Sequence, residues 1–535
     1  MPQKYKLTFL QENTSIEASE GSTLMEALKE AGIFLDAPCG GRGTCGKCLV
    51  KVSENGSDWA EVKACQTKIN KELLVDTENS PKNHRILTSS SIRQVPFHPS
   101  FSEVPDKDHY YMAAFDIGTT TIAAYLLDGR TGKELCTASS LNPQAAYGAD
   151  VISRANYVLE HGHKELADCI HSAADKLIGQ LARTAAIQRE DIYLLCFVGN
   201  TCMHHIFFQY PMESLVRAPY EPSQKGLIRE KAADFDIHIH PEGELIFLPV
   251  IAGFVGADTM GCILSLRPDL QEDISLMLDI GTNGELVLGN KDRLVCCSTA
   301  AGPAFEGAKI HCGMRGAQGA VDHMTYDPSS GFHFTVIGQE APEGICGSGL
   351  IDTIACLRRA GLIDESGRLL NQEEAAELDP DFAFHMTEWN HMPAFLYDPA
   401  YPEVFLTQKD VREVQLAKGA IAAGILLLEK HLGITHENIR KVYIAGAFGN
   451  YMDPKSACDI GLLPYSLRDR VVPVGNAAGE GAKIALLNVE ELNKTVQLMD
   501  QVDFLELAAL PEFQDCFIDE LEFPEIPEIQ SRQEN

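Results

Sequence analysis

The stretch Tyr111-Met112-Ala113-Ala114-Phe115-Asp116-Ile117-Gly118-Thr119-Thr120-Thr121 reads as an apolar strand ending in aspartate, a tight Gly-Thr turn, and a second strand over 122–127. Glycine lets a backbone approach a phosphate closely, hydroxyls and amides can bond its oxygens, and an aspartate at the strand end can hold magnesium directly or through water. The pattern recurs at Leu276-Met277-Leu278-Asp279-Ile280-Gly281-Thr282-Asn283-Gly284-Glu285-Leu286. One such hairpin is a weak signal, because Gly-Thr turns are common. Two in one chain imply a duplicated fold. A third element, Val442-Tyr443-Ile444-Ala445-Gly446-Ala447-Phe448-Gly449-Asn450, is an apolar strand ending in Gly-Ala-Phe-Gly, suited to flat backbone contact with a nucleotide.

These three elements, in this order, resemble the first phosphate, second phosphate and adenosine motifs of the superfamily of actin, sugar kinases and heat-shock chaperones. The resemblance covers 111–535 and implies an actin-like, ribonuclease H-like α/β ATPase domain of two lobes. Carried onto this chain, it sets Asp116, Gly118, Thr119 and Thr120 at the β- and γ-phosphates of ATP. Asp279, Gly281, Thr282 and Asn283 would face them from the other lobe, Gly446 and Gly449 would border adenosine, and Mg2+ would accompany the nucleotide. In the stretch 302–309, Glu306 and Lys309 stand one helical turn apart, so both are expected to point from one helix face into the cleft, a surface ion pair being the alternative. Gly344-Ile345-Cys346-Gly347-Ser348-Gly349-Leu350 is a glycine-rich turn before an apolar helix, suited to an anion or to tight packing. His204 and His205 invite a metal reading, but adjacent histidines project in different directions, and a structural or interlobe role is expected. Asn142-Pro143-Gln144 and the stretch 148–151 either line the cleft or cap a helix.

The amino-terminal ~78 residues follow other rules. Tyr5, Leu7 and Phe9 alternate with Lys6 and Thr8, a second short strand spans 15–19, and Ser22 is a candidate N-cap for an apolar-periodic helix. The segment Asp36-Ala37-Pro38-Cys39-Gly40-Gly41-Arg42-Gly43-Thr44-Cys45-Gly46-Lys47-Cys48 carries too many glycines for helix or strand and is a loop. Each iron of a two-iron, two-sulfur cluster takes two thiolates, and glycines between them let amides turn toward the sulfurs. Cys39, Cys45 and Cys48 are candidates for three of the ligands, and the fourth would be Cys65. Zinc, which prefers two close cysteine pairs, or buried thiols are the alternatives. Ala64-Cys65-Gln66 resembles the surroundings of the distant ligand in plant-type ferredoxins, which implies a β-grasp 2Fe-2S domain over 1–78. The first gap, of five residues, is one longer than the plant type, and the last, of sixteen, is short. From 79 to 110 the chain is rich in Ser, Pro, Asn and His without periodicity and reads as a linker, an irregular segment packed on the next domain being the alternative.

A length of 535 residues calls for several cores, giving an α/β plus α+β architecture. The balance of 44 basic against 76 acidic residues, net −32, opposes nucleic acid and anionic membranes. No stretch has the ~20 apolar residues of a membrane span, the start alternates rather than forming a signal peptide, and a cytoplasmic protein is expected. Of sixteen cysteines, the twelve outside the cluster set stand singly or in apolar runs and read as interior thiols.

A ferredoxin unit fused to this ATP-binding fold resembles the reductive activators of corrinoid proteins, ATP-dependent enzymes that return Co(II) corrinoid to Co(I) in support of methyl transfer. The resemblance implies a corrinoid protein of a methyltransferase system as partner and an upstream low-potential electron donor; homodimerisation is left open. Some members insert a small domain before the first phosphate motif, and the interval from Cys65 to Asp116 is too short for one, so the chain looks like a compact variant. Plant-type ferredoxins lie near −400 mV. A one-electron gap of a few hundred millivolts to Co(I) amounts to roughly 5 to 10 kcal/mol, which ATP would cover by favouring a closed state. The rival readings are a small-molecule kinase, which would not require a cluster domain, and a nucleotide-gated redox-sensing scaffold. A flavin-linked NADH reductase lacks its dinucleotide fingerprint here.

Overall fold

In the computed structural model, residues 4–11, 14–31, 33, 48–77, 93–103, 105, 108–449 and 451–526 are described. The alternation at the start does what its period demands: Leu7 and Phe9 are fully buried while Lys4 and Lys6 face solvent. Lys4–Phe9 pairs antiparallel with Thr14–Ser19 and parallel with Leu73–Asp76, and Leu49–Ser53 and Ala60–Lys63 complete a five-stranded sheet. Helix Leu24–Glu30 lays Leu24, Ala27 and Leu28 into the core shared with that sheet, which is the β-grasp arrangement. Its cap is Thr23 rather than Ser22: the Glu26 N–H donates to Thr23 Oγ1, and the Thr23 N–H donates to Glu26 Oε2 at 2.7 Å. Ser22 turns back and donates to the Ser19 carbonyl. The reciprocal Thr-Glu pair satisfies two helix-end amides at once, which a serine one residue earlier cannot.

The two Asp-Ile-Gly-Thr stretches form hairpins at the centres of two six-stranded sheets. Tyr111–Ile117 pairs antiparallel with Thr121–Asp128 and parallel with Ile192–Gly199. Ile274–Ile280 pairs antiparallel with Gly284–Gly289 and parallel with Ile439–Ala445. A further antiparallel strand flanks each hairpin, Glu134–Leu141 and Leu294–Thr299 respectively. The same order of directions in both sheets is the duplication that the repeated motif implied. Asp116 sits opposite Val198 and Asp279 opposite Ala445 in equivalent registers, so both aspartates reach the same end of their sheets.

Two helices, Ala257–Leu266 and Ala477–Leu487, lie in a core that draws side chains from both sheets, including Phe115 and Phe197 of the first and Met277 and Val287 of the second. They cross at glycine: a side chain on Gly481 would stand 2.0 Å from the Gly261 carbonyl oxygen, so their backbones touch. The described stretch 93–103 of the expected linker is fastened to this pair of helices. The His98 N–H donates to the Leu487 carbonyl at 2.9 Å, Ser100 donates from its N–H to Leu486 and from its hydroxyl to Ala485, and Asn488 reaches back to the Pro96 carbonyl. Arg93 pairs with Glu491 at 2.7 Å, and Glu491 also takes Arg267, at the end of the first crossing helix, at 2.8 Å. Residues 79–92 lie outside the described set. Among the described residues no helix is long and apolar enough to cross a membrane.

Candidate functional site

Both hairpin turns open onto one cavity of about 320 Å³. In each turn the glycine N–H closes the loop, Gly118 donating to the Thr121 carbonyl and Gly281 to the Asn283 carbonyl, both at 2.9 Å, the first loop being one residue longer. Asp116, Gly118, Thr119 and Thr120 line the cavity from the first lobe and Asp279, Gly281, Thr282 and Asn283 from the second, with Gly446 beside them. Gly446 has a φ of 87°, in the left-handed region, and a side chain there would come within 3.0 Å of Asp279 Oδ1. Gly449 does not line the cavity; a side chain on it would strike Ile444, so its smallness serves packing. The glycine-rich turn of 344–350 contributes Cys346, Gly347 and Ser348 to the wall at the start of helix Gly347–Ala360.

Glu306 and Lys309 do not share a helix. Pro303–Glu306 is a single 3-10 turn, bounded by Gly302 and Gly307 at φ of 75° and 77°, and Lys309 itself has a φ of 67°. Glu306 stays in the cavity, whereas Lys309 points to solvent and lies 3.8 Å from Glu413. Positive φ on both sides of a short segment ends a helix whatever the spacing of its charges.

Five carboxylates line this cavity: the two motif aspartates, Asp258, Glu285 and Glu306. Burial pushes Asp116 and Asp258 up to about 7 and Asp279 up to about 6; the charge of Asp279 raises the first two further, while the Asn476 amide, donating to Asp116 at 2.8 Å, draws Asp116 back. Burial, then Asp258 and Asp279, holds Glu285 well above the usual carboxylate range. Anions packed this closely in a dry wall favour a cation or a proton. Among the described residues no three such groups converge closely enough to hold a metal ion directly. A hard cation here would therefore be carried through water and ligand oxygens, the usual habit of magnesium.

Several of these partners escaped the sequence. Asp258 stands in the first turn of Ala257–Leu266 and Asn476 caps Ala477–Leu487, so both arrive on the crossing helices, far from either hairpin in the chain. The Gly-Asn-Ala-Ala-Gly run at 475–479 was the available signal for Asn476; nothing local marked Asp258. Arg154 is fully buried and holds the first turn from behind, donating to the carbonyls of Gly148 and Thr119 and to Gln144 Oε1. Burial lowers its guanidinium to about 10, with Cys202, Asp150 and Glu306 opposing. Asn142, which caps the short turn Pro143–Ala146, also donates to the Gly118 carbonyl, and Asn200 donates to Thr119 Oγ1, so two asparagines steady the first hairpin. His204 and His205 are buried in an aromatic cluster, with His205 Nε2 accepting from the Ser223 N–H.

In the amino-terminal domain, Cys48 and Cys65 are buried cysteines whose sulfurs stand 3.3 Å apart, well beyond the ~2.05 Å of a disulfide, so both point at one spot. The Ala64 N–H donates to the Cys48 carbonyl at 2.8 Å and fixes the two residues side by side. Two thiols converging at the edge of a loop fit an iron-sulfur cluster. Cys39 and Cys45 lie outside the described residues.

Comparison with known proteins agrees with this geometry. The family model of the 2Fe-2S iron-sulfur cluster binding domain matches residues 7–70. The RACo middle region matches 111–271, and the C-terminal domain of RACo, the ASKHA domain, matches 273–531. The middle region is thus the first lobe itself, carrying Asp116. The corrinoid activation enzyme RamQ of Eubacterium limosum is 34% identical, over 94% of this chain and 96% of its own. The [Co(II) methylated amine-specific corrinoid protein] reductase of Methanosarcina barkeri is 25% identical over 77% of each chain. A solved structure of a reductive activator for corrinoid, iron-sulfur protein superposes with a TM-score of 0.72 at 29% identity, covering 97% of this chain and 98% of that one. Ferredoxin fold, paired phosphate hairpins and relatives agree: the chain belongs to the family of reductive activators of corrinoid proteins, a 2Fe-2S domain followed by an actin-like domain.

Proposed function

We propose that this protein is an ATP-dependent corrinoid protein reductase. Fed by a low-potential electron donor in the cytoplasm, it returns the Co(II) corrinoid of a methyltransferase system to Co(I). The observation that carries this reading is the meeting of two equivalent phosphate hairpins across one cavity, in a chain whose first domain brings two thiols to one point.

The residues divide the work. Gly118 and Gly281 let the backbone close on phosphate oxygens, and the threonine hydroxyls beside them donate to those oxygens. Asp116, steadied by Asn476, and Asp279 would hold Mg2+ through its water shell, which relieves the crowding of carboxylates. Gly446 leaves room for the adenosine. Cys39, Cys45, Cys48 and Cys65 would hold the 2Fe-2S cluster, which when bound supplies one-electron transfer at low potential. Nucleotide held from both lobes favours their closed arrangement, and a ligand shifts that equilibrium only by binding one arrangement more tightly. Closure about the crossing helices would present the corrinoid partner with a changed surface, and this is where ATP energy would enter the reduction.

The test is anaerobic visible absorption of a Co(II) corrinoid protein mixed with this protein and a low-potential reductant, with and without MgATP. Growth of the Co(I) band that needs MgATP and disappears with Cys65→Ser supports the proposal. Absence of Co(I) with several corrinoid partners, alongside phosphorylation of a small molecule, would replace it with a kinase. ATP binding without turnover or cobalt reduction would leave the redox-sensing scaffold.

A further inference from the structure

Between the two phosphate hairpins stands one side chain that bonds to both. Glu306 Oε2 accepts from the Thr120 hydroxyl at 2.8 Å, and its Oε1 accepts from the Thr282 hydroxyl at 2.9 Å. One carboxylate therefore ties a threonine of the first lobe to a threonine of the second. Its turn is anchored at the base, where Ala304 and Phe305 are buried in the second-lobe core. At either end it is hinged by Gly302 and Gly307, both in the left-handed region. On the first-lobe side the buried Arg154 guanidinium, bonded to the Thr119 carbonyl, adds a positive field behind the turn. Carboxylate and phosphoryl oxygens are anionic acceptors of similar reach, so they compete for the same hydroxyl donors.

We infer that Glu306 is the residue by which the cleft tells ATP from ADP: its carboxylate holds the two threonine hydroxyls that a terminal phosphate would take, so MgATP displaces it and MgADP does not. This rests on the nucleotide reading above and adds to it a basis for discrimination. With ADP bound, the Thr120, Glu306 and Thr282 link persists. The third phosphate takes both hydroxyls, and repulsion between like charges sends Glu306 away on its glycine hinges. A simple nucleotide ligand would behave in the opposite sense, since its removal weakens binding.

Calorimetric titration of the full-length holoprotein with a non-hydrolysable MgATP analogue and with MgADP separates these cases. Glu306→Gln keeps the size of the side chain but removes its charge, and neutral hydrogen bonds are about half as strong as charged ones. The expected result is at least a tenfold gain in affinity for the analogue, with MgADP affinity changed less than threefold. Glu306→Asp, too short to span both threonines, should move in the same direction by a smaller factor, and it serves if the glutamine variant fails to fold. Equal shifts for both nucleotides, or weaker binding of the analogue alone, would overturn the role of Glu306 while leaving the nucleotide reading intact. Failure of the unmodified protein to bind either nucleotide would overturn both.

Discussion

Cys65 shows how far one atom decides the chemistry. Its sulfur faces Cys48 from the far side of a sixteen-residue excursion, and the Gln66 side chain amide lies 3.7 Å from it. Replacing it with serine would remove the proposed fourth thiolate of the cluster. The expected outcome is loss of the visible absorbance of the purified cluster, while MgADP affinity stays within about twofold, because the two properties live in different domains. Retention of a normal cluster spectrum by Cys65→Ser would remove it from the ligand set. The buried histidines make a second prediction. Burial drives His204 down to about 3, helped by His205, and His205 down to about 4. A histidine whose folded value lies below its unfolded value contributes stability above about pH 6.5, and loses it as pH falls. Between pH 6.5 and 5 each ring should cost about 2 kcal/mol. Urea denaturation should show this decline, and His204→Leu should flatten it; a profile already flat in the unmodified protein would refute the assignment. The sequence favoured a structural role for these adjacent rings over a metal site, but it did not name the phenylalanines they would meet.

At the scale of elements, the crossing of Ala257–Leu266 and Ala477–Leu487 depends on two glycines meeting backbone to backbone. Gly481→Ala puts a methyl group into the Gly261 carbonyl, and overpacking of this kind costs about 1 to 3 kcal/mol. Calorimetry should show a lower melting temperature and coupled assays a lower ATP turnover, because Asp258 and Asn476 ride on these helices. An unchanged melting temperature would mean that the helices separate freely. The hairpins were legible because strand, aspartate, glycine and threonine are consecutive, so the local pattern and the site coincide. The crossing was not, because an apolar helix face announces burial without naming its partner. The expected Glu306–Lys309 helix failed for a related reason: charge spacing was read across Gly307, whose positive φ ends the single turn that begins after Gly302. The segment 93–103 looked like free linker because its bonds to Leu486, Leu487 and Asn488 are single contacts with no period to betray them.

For the whole molecule, the doubled sheet order and the ferredoxin grasp were both foreseeable, since each repeats a pattern that the sequence carries in full. Their energetic separation can be measured. A ligand present at 100 times its dissociation constant stabilises the state it binds by about 2.7 kcal/mol. A non-hydrolysable MgATP analogue should therefore raise the melting transition of the two lobes, while bleaching of the cluster on heating stays where it was. Equal movement of both transitions would show that the two units unfold together. The fastening of 93–103 then acquires a mechanical meaning. Arg93, His98 and Ser100 are bolted to the far ends of the two helices about which the lobes would turn, through Glu491 and the last residues of Ala477–Leu487. Arg229 of the first sheet also donates to the Ser100 carbonyl at 2.8 Å and to the Ser102 hydroxyl, so this segment is slung from the axle and the first jaw together. A turn of the lobes about these helices would therefore carry the anchored segment 93–103 with it, like a hub dragging its spoke.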